Sequence, residues 1–351
     1  MGILKEMTAG GYEKILFFQD SETDLSGLIV IHNSTLGPAF GGCRMIAYPS
    51  EEAAILDAMR LSKAMTYKNS LAGLNHGGGK AVIILPERIR DRKRLFQAFG
   101  AIVDSLGGRY ITAVDSGTST KDMDEVKKST RYVAGFSIEK GGSGDPSPMT
   151  ALGVLRGIEA CVQFKLNRKD LEGLTVALQG LGHVGYPLAE HLYKSRAKLV
   201  VCDLDPDRVE KAMVAFNAAI VPPDRVYDIE CDIFSPNALG AILNDQTIPR
   251  LRCSIVAGAA NNQLAEDRHG EMLAKRGILY APDYAINAGG IINVAQEWEG
   301  YNEEKARRNT ENIYNTMMEI FTRARRERKR PEEIADRLSE ERIFKARSGQ
   351  L

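Results

Sequence analysis

The stretch TVALQGLGHVG, residues 175–185, decides the fold. Its apolar opening reads as a short buried strand. Gly180, Gly182 and Gly185 then follow at GxGxxG spacing, and the residues after them read as a helix. In that context the glycines permit a tight turn, close backbone approach to a pyrophosphate, and close packing of helix on strand. The helix N-terminus offers unpaired N–H donors to the anion. A second apolar run, LVVCDLD at 199–205, places Asp203 at its end, about 20 residues on, where a carboxylate meets the adenine-ribose hydroxyls. That acid repels a 2′-phosphate, so NAD is expected rather than NADP, although Arg208 blurs the preference.

The pattern repeats around this stretch. Residues 174–179, 198–202, 231–234, 253–256 and 278–280 read as strands separated by helical segments, which means a parallel, doubly wound sheet. VAGAANNQL, 256–264, follows one of these strands. Its small residues allow backbone to approach a ligand, and Asn261 and Asn262 become candidates near a nicotinamide, though loop asparagines also form turns.

The first part of the chain reads differently. Residues 15–18 and 28–31 are strand-like, and Ser50 caps a helix running to about residue 69. Ala54, Ala58, Leu61 and Met65 share one face of that helix, and Lys68 continues the stripe. GLNHGGGKAVIIL, 73–85, resembles a phosphate-binding loop only superficially, because Leu74 and Ala81 stand where Gly and Ser or Thr are required. It reads instead as a glycine loop feeding a strand at 81–85. Lys80 at its mouth is then expected to be partly desolvated, as a general base would be. Residues 94–106 read as a helix and Tyr110–Val114 as a strand, with Asp115 after it either orienting reacting groups or simply forming a turn. Lys68 has a plain alternative too, as a cation satisfying a helix C-terminus.

GGSGDPSP, 141–148, is the clearest linker. It divides the chain into a substrate and oligomerisation domain at 1–145 and a Rossmann NAD-binding domain at 146–330. A C-terminal helix, about 330–351, is expected to pack back on the first domain. Residues 150–164 read as a helix, and the tail from Glu303 is helical and charged.

Composition narrows the function. The 351 residues carry 46 Lys plus Arg against 46 Asp plus Glu, so no global field draws nucleic acid or membrane. No apolar run reaches transmembrane length, and the first ten residues lack a signal-peptide layout. The five cysteines form no CxxC pair and the five histidines no HxxxH pair, so a reduced, cytoplasmic protein without a metal is expected. The basic run RARRERKR, 323–330, is followed at once by Glu332, Glu333 and Asp336, and reads as a solvated helix face rather than a nucleic-acid surface.

Several blocks then share one order: LGPA at 36–39, AFGGCR at 39–44, AMTYKNSLAGLNHGGGKAVI at 64–83, RYITAVDSGT at 109–118, GLGHVG at 180–185, AGAANNQL at 257–264 and GILYAPDYAINAGGIIN at 277–293. With them the chain resembles the Glu/Leu/Phe/Val amino acid dehydrogenases over nearly its whole length, closest to the leucine and valine branch. The resemblance implies NAD-dependent oxidative deamination of an L-amino acid to a 2-oxo acid and ammonia. By it, Lys80 is the catalytic base, Asp115 assists proton transfer and Lys68 binds the substrate carboxylate. It places Gly41, Gly42, Met65 and Gly77 to Gly79 around the substrate, and Asn261 against substrate and cofactor. Phe40, Ala113, Ile291 and Val294 line the side-chain pocket. Leu181, His183, Val184 and Tyr186 join the three glycines of the turn, with Thr150, Asp203, Leu204, Ala238, Ala259 and Ala260, along the cofactor. A homo-oligomer is implied. Members that act on leucine usually carry Leu where this chain has Phe40. A non-catalytic NAD-binding protein is the rival reading, and the presence of Lys68, Lys80 and Asp115 together counts against it.

Overall fold

The computed structural model describes residues 2–350, which divide into two compact units. The first comprises the chain up to Pro146, Ile291–Ala306 and the stretch from Leu338 onward; the second comprises Ser147–Gly290 and Arg307–Arg337.

In the first unit a short helix α1 (Ile3–Gly10) precedes strands β1 (Lys14–Asp20), β2 (Leu25–Asn33) and β3 (Ala39–Ile46). Then come α2 (Glu51–Leu71), β4 (Gly77–Ile84), α3 (Arg92–Asp104), β5 (Tyr110–Val114) and α4 (Thr120–Val126). The sheet order is β1-β2-β4-β3-β5. The β1–β2 and β2–β4 pairs are antiparallel, whereas β3 runs parallel to both β4 and β5. Both faces are covered. Ala54, Ile55, Ala58 and Met59 of α2 pack on Leu28, Val30 and Val82. Leu95, Phe96, Phe99 and Val103 of α3 pack on Ile29, Cys43, Ala81 and Ile83. Ser50 caps α2 by accepting from the Ala53 N–H, as the sequence indicates.

Two expectations change here. Gly77 to Gly79 are not a loop but the first three residues of β4, so Lys80 lies inside the strand, and Leu85 falls outside it. The glycines are needed because β4 is crowded from three sides. A Cβ on Gly77 would lie 2.0 Å from the Asn33 carbonyl oxygen, one on Gly78 2.1 Å from the Thr66 backbone nitrogen of α2, and one on Gly79 2.8 Å from the Tyr110 ring. β3 itself is hidden in the sequence, since Gly41 and Gly42 interrupt its strand-forming residues.

The second unit opens with α5 (Ser147–Leu166) and carries six parallel strands: β6 (Thr175–Gln179), β7 (Lys198–Cys202), β8 (Ala219–Ile220), β9 (Ile233–Pro236), β10 (Ile255–Val256) and β11 (Leu279–Tyr280). Their order, β11-β10-β9-β6-β7-β8, reverses direction at β6, as in a dinucleotide-binding doubly wound sheet. Helices α6 (Gly185–Lys194), α7 (Pro206–Phe216) and α8 (Arg268–Lys275) alternate with the strands. Four-residue α9 (Asp283–Ile286) is followed by α10 (Gly289–Ala295), α11 (Glu303–Glu311), α12 (Ile313–Glu327) and α13 (Pro331–Arg347). The basic run at 323–330 spans the end of α12. Arg323 pairs with Glu327 at 2.6 Å and Arg330 with Glu332 and Glu333 at 2.8 and 2.9 Å, while Arg325 lies over the Phe164 ring.

The chain returns to the first unit at Ile291–Ala306, a segment that the sequence pattern places in the cofactor domain. Periodicity cannot reveal that return, because it depends on which core the residues join. Val294 and Ala295 join Phe40, Leu74, Ile111, Ala113 and Ala134. From the tail, Arg342 Nη1 donates to the Leu74 carbonyl at 2.7 Å and to that of Ser70 at 3.1 Å. The stretch read as a linker is also packed. Gly142, Ser143 and Gly144 are buried, and the Ser143 N–H donates to Glu297 Oε1 at 2.6 Å. Glu297 also accepts from the Gly135 N–H, and burial raises its carboxyl pKa.

Candidate active site

Lys80 is the central group of the first unit. It sits on β4, between β2 and β3, and its side chain is only 3% exposed. A buried ammonium needs a partner, and Nζ donates to Oδ2 of Asp115, in the turn after β5. To reach it the side chain crosses β3, which lies between the two. Gly42 lets Asp115 stand this close to β3: a Cβ there would lie 2.6 Å from the Val114 carbonyl oxygen and 2.8 Å from the Asp115 Cβ.

Asp115 has a second cation. Arg44 Nε donates to Oδ1 at 3.0 Å, and Arg44 Nη1 donates to Asp57 Oδ2 on α2, also at 3.0 Å. The Tyr48 hydroxyl donates to the same Asp57 oxygen at 2.5 Å. Burial alone would raise the Asp115 pKa, but the charges and hydrogen bonds of Lys80 and Arg44 outweigh it and hold the carboxyl well below its usual range. Asp115 is therefore an ionised acceptor with both oxygens engaged. Arg44 is the charged partner of this pair that the sequence pattern leaves without a role. Its only signal there is its place at the end of AFGGCR, one of the blocks that carry the family resemblance.

The other candidates of the first unit lie on α2, β3, β5 and the returning segment. Lys68 lies in the last turn of α2. The next residue, Asn69, donates to the carbonyls of Gly77 at 2.6 Å and Phe40 at 3.1 Å, fastening that turn to β3 and β4. Met65 Cγ is 3.1 Å from where a Gly41 Cβ would stand. Phe40, Ala113 and Val294 share one apolar cluster with Ile291 packed against it, and the Phe40 ring, 1% exposed, also packs on His76 at 5.2 Å between centroids.

The cofactor candidates lie in the second unit, around a cavity of about 600 Å³ beyond the C-terminal ends of β6, β7 and β9. Gly180, Gly182, Asp203, Leu204 and Ala238 line it, with Arg208, Asn237 and Leu239. The three glycines of the turn differ in what demands them. Gly180 has φ +92°, a left-handed conformation. A Cβ on Gly185 would lie 2.0 Å from the Gly180 carbonyl oxygen. A Cβ on Gly182 would meet open space, with Arg208 Nη1 the nearest atom at 3.8 Å. No described residue crowds position 182, so its bare backbone leaves a cradle open beside the cavity, and a pyrophosphate fits it.

Asp203 directly follows β7 and accepts from the Leu181 N–H at 2.6 Å and the Asp205 N–H at 2.9 Å, which ties the acid to the glycine turn. Arg208 pairs with Asp205 at 3.1 Å and stands 4.0 Å from Asp203. Leu181, His183, Val184, Gly185 and Tyr186 form the turn and the start of α6 without lining the cavity; Tyr186 packs on Phe216. Thr150 lies in the first turn of α5. Ala259, Ala260 and Asn261 follow β10, where the Ala259 N–H donates to Asn237 at 2.9 Å and Asn287 donates to Asn261 Oδ1 at 2.8 Å. Asn261 thus belongs to the second unit, and Lys68, Lys80 and Asp115 to the first.

The chain is similar to known proteins over most of its length. Residues 13–132 match the family described as Glu/Leu/Phe/Val dehydrogenase, dimerisation domain, and residues 205–348 match Glutamate/Leucine/Phenylalanine/Valine dehydrogenase. A leucine dehydrogenase from Thermoactinomyces intermedius is 52% identical over 343 residues, 98% of this chain and 94% of that protein. A phenylalanine dehydrogenase from Caldalkalibacillus thermarum is 45% identical, over 95% and 92%. The crystal structure of L-tryptophan dehydrogenase from Nostoc punctiforme superposes with a TM-score of 0.86 at 44% identity, covering 98% of this chain and 99% of the other.

Proposed function

The chain belongs to the Glu/Leu/Phe/Val dehydrogenase family and is an NAD-dependent amino acid dehydrogenase, and we propose that its substrates are branched-chain aliphatic L-amino acids, deaminated reversibly to the 2-oxo acid and ammonia. The observation that carries this reading is the buried Phe40 ring, packed with Ala113 and Val294 and against His76. A ring wedged in this way does not swing aside for an aromatic substrate. It shortens the space in which a side chain is received, and the apolar wall leaves a glutamate carboxylate without a partner. The similarity to a leucine dehydrogenase supports the same choice.

The roles assigned to the side chains follow from their chemistry. Bound NAD⁺, held by Gly182, Asp203 and their neighbours in the second unit, supplies a hydride acceptor for Cα. Lys68 holds the substrate carboxylate. Lys80 takes a proton from the water that adds to the imine carbon. Asp115, kept ionised, fixes Nζ in line and carries the proton in transit toward the departing nitrogen. Collapse of the carbinolamine gives the 2-oxo acid and ammonia. We assign substrate handling to the first unit, with its returning segment Ile291–Ala306 and the stretch from Leu338, NAD binding to the second unit, and the protein itself to a homo-oligomer in the cytoplasm. Five free cysteines among the described residues suit a reducing compartment.

The test is kcat/KM with NAD⁺ for leucine, valine, isoleucine, phenylalanine, tryptophan and glutamate. One methylene is worth only about 1–3 kcal/mol, so the three aliphatic substrates should all turn over. Either aromatic substrate beating both leucine and valine overturns the reading and places the enzyme among the aromatic-specific members.

A further inference from the structure

Arg44 touches Asp115 directly, yet the reaction as described gives it no part. Its side chain is 16% exposed, and its guanidinium bridges Asp57 on α2 and Asp115 beyond β5. Lys80 holds the other oxygen of Asp115. The result is a chain of four alternating charges: Asp57, Arg44, Asp115, Lys80.

We propose that Arg44 is a positioning residue of the deamination: anchored on Asp57, it pins Oδ1 of Asp115 so that Oδ2 faces Lys80, and its positive charge balances Asp115 while Lys80 gives up its proton. The proposal rests on the reading of Lys80 as the base. Its geometric half follows from the single bonds of an aspartate. A carboxylate held by one cation turns about its own axis, whereas one held at both oxygens presents a fixed edge. Arg44 is itself fixed, because Asp57 receives both Arg44 Nη1 and the Tyr48 hydroxyl.

The electrostatic half is a matter of counting. With all four groups charged the cluster is neutral, and loss of the Lys80 proton leaves it at one negative charge. Without Arg44 it starts at one negative charge and deprotonation takes it to two. The proton is then held more tightly, and turnover demands a higher pH. Without the charge of Asp57 the sign reverses. The other titratable groups facing the pair are few. β3 adds Cys43, β5 adds Tyr110, and α4 adds Asp122, which is bound by Arg92 of α3. Lys68 lies in the last turn of α2, the helix that also carries Asp57. None of them touches Oδ1 of Asp115, which Arg44 occupies alone among the contacts of the described residues.

The experiment compares the full-length enzyme with Arg44→Gln, Arg44→Lys and Asp57→Asn. Readouts are kcat and KM across the neutral to alkaline range and NADH binding by fluorescence. Arg44→Gln should lower kcat by roughly tenfold or more, leave NADH affinity within about twofold, and move the acidic limb of kcat/KM up by about one pH unit or more. Arg44→Lys should return the limb at least half way, since it restores charge without the fork. Asp57→Asn should move the limb down, and this sign survives even where Arg44→Gln yields no folded protein. An unmoved limb in Arg44→Gln, or an upward shift in Asp57→Asn, overturns the proposal. Lys80→Ala separates the two levels. If that variant keeps its turnover, the base assignment fails. If it loses turnover while the Arg44→Gln limb stays in place, only the role of Arg44 fails.

Discussion

Replacing Gly182 by alanine separates what the fold requires from what the cofactor requires. The added methyl meets no atom nearer than Arg208 Nη1 at 3.8 Å, and the backbone of Gly182 is not in the left-handed region. The folded state therefore loses nothing, and the unfolded chain loses freedom, worth about 0.4–1 kcal/mol in favour of folding. Binding responds the other way. A pyrophosphate seated on the turn accepts hydrogen bonds from backbone N–H groups, and a methyl between them holds the anion off. One such bond to a charged group is worth roughly 1.5–3 kcal/mol, which converts to about a ten- to hundredfold weaker complex. The assay pairs a thermal melt with an NADH fluorescence titration. Gly182→Ala should melt no lower than the parent protein and bind NADH at least about tenfold more weakly. An unchanged dissociation constant refutes the placement of the pyrophosphate at Gly182. A markedly lower melting temperature refutes the claim that the space is open.

Two further outcomes follow from the same geometry. Lys80→Ala should reduce kcat by orders of magnitude while NADH binding stays nearly intact, and single-turnover kinetics with leucine would check it. Asp203→Ala should weaken NAD⁺ use and narrow the gap to NADP⁺, read as the ratio of the two kcat/KM values; because Asp203 also accepts from Leu181 and Asp205, some loss of thermal stability should accompany it.

The second unit is the more legible in the sequence. β6 and β7 are short apolar runs, the glycine turn has a fixed spacing, and Asp203 stands directly after β7 on the cavity beside that turn. All of that is local, and local pattern is what a sequence displays. The first unit hides more, for reasons that are also physical. β3 carries Gly41 and Gly42 because the Gly79 carbonyl and Met65 press on the first, and Val114 and Asp115 on the second, and those glycines erase the strand signal. Gly77 to Gly79 resemble a loop because β4 is squeezed by α2, β2 and Tyr110, so side chains are excluded from a strand that is nonetheless central. Lys80 and Asp115 can be singled out from their surroundings. Arg44 cannot, because its importance lies in two partners, 13 and 71 positions away in the chain. Val294 and Glu297 belong to the first unit only through contacts with residues more than a hundred positions earlier, as with the Ser143 N–H on Glu297.

That return has a consequence for how the molecule is made. A ribosome delivers the chain from one end at about 5–20 residues per second. The sheet of the first unit is complete by Val114, yet Val294 and Ala295, which cover Phe40 and Ala113, emerge about 180 residues after it, roughly 9–36 s later at that pace. The helix end that caps the Leu74 and Ser70 carbonyls through Arg342 comes later still. Throughout that interval a nearly finished domain keeps an uncovered apolar wall, and its integrity waits on the synthesis of its neighbour. A fragment ending at Pro146 should therefore be sticky and prone to self-association, and exchanging cofactor halves between relatives requires junctions that carry 291–306 and the tail from Leu338 along with the N-terminal part.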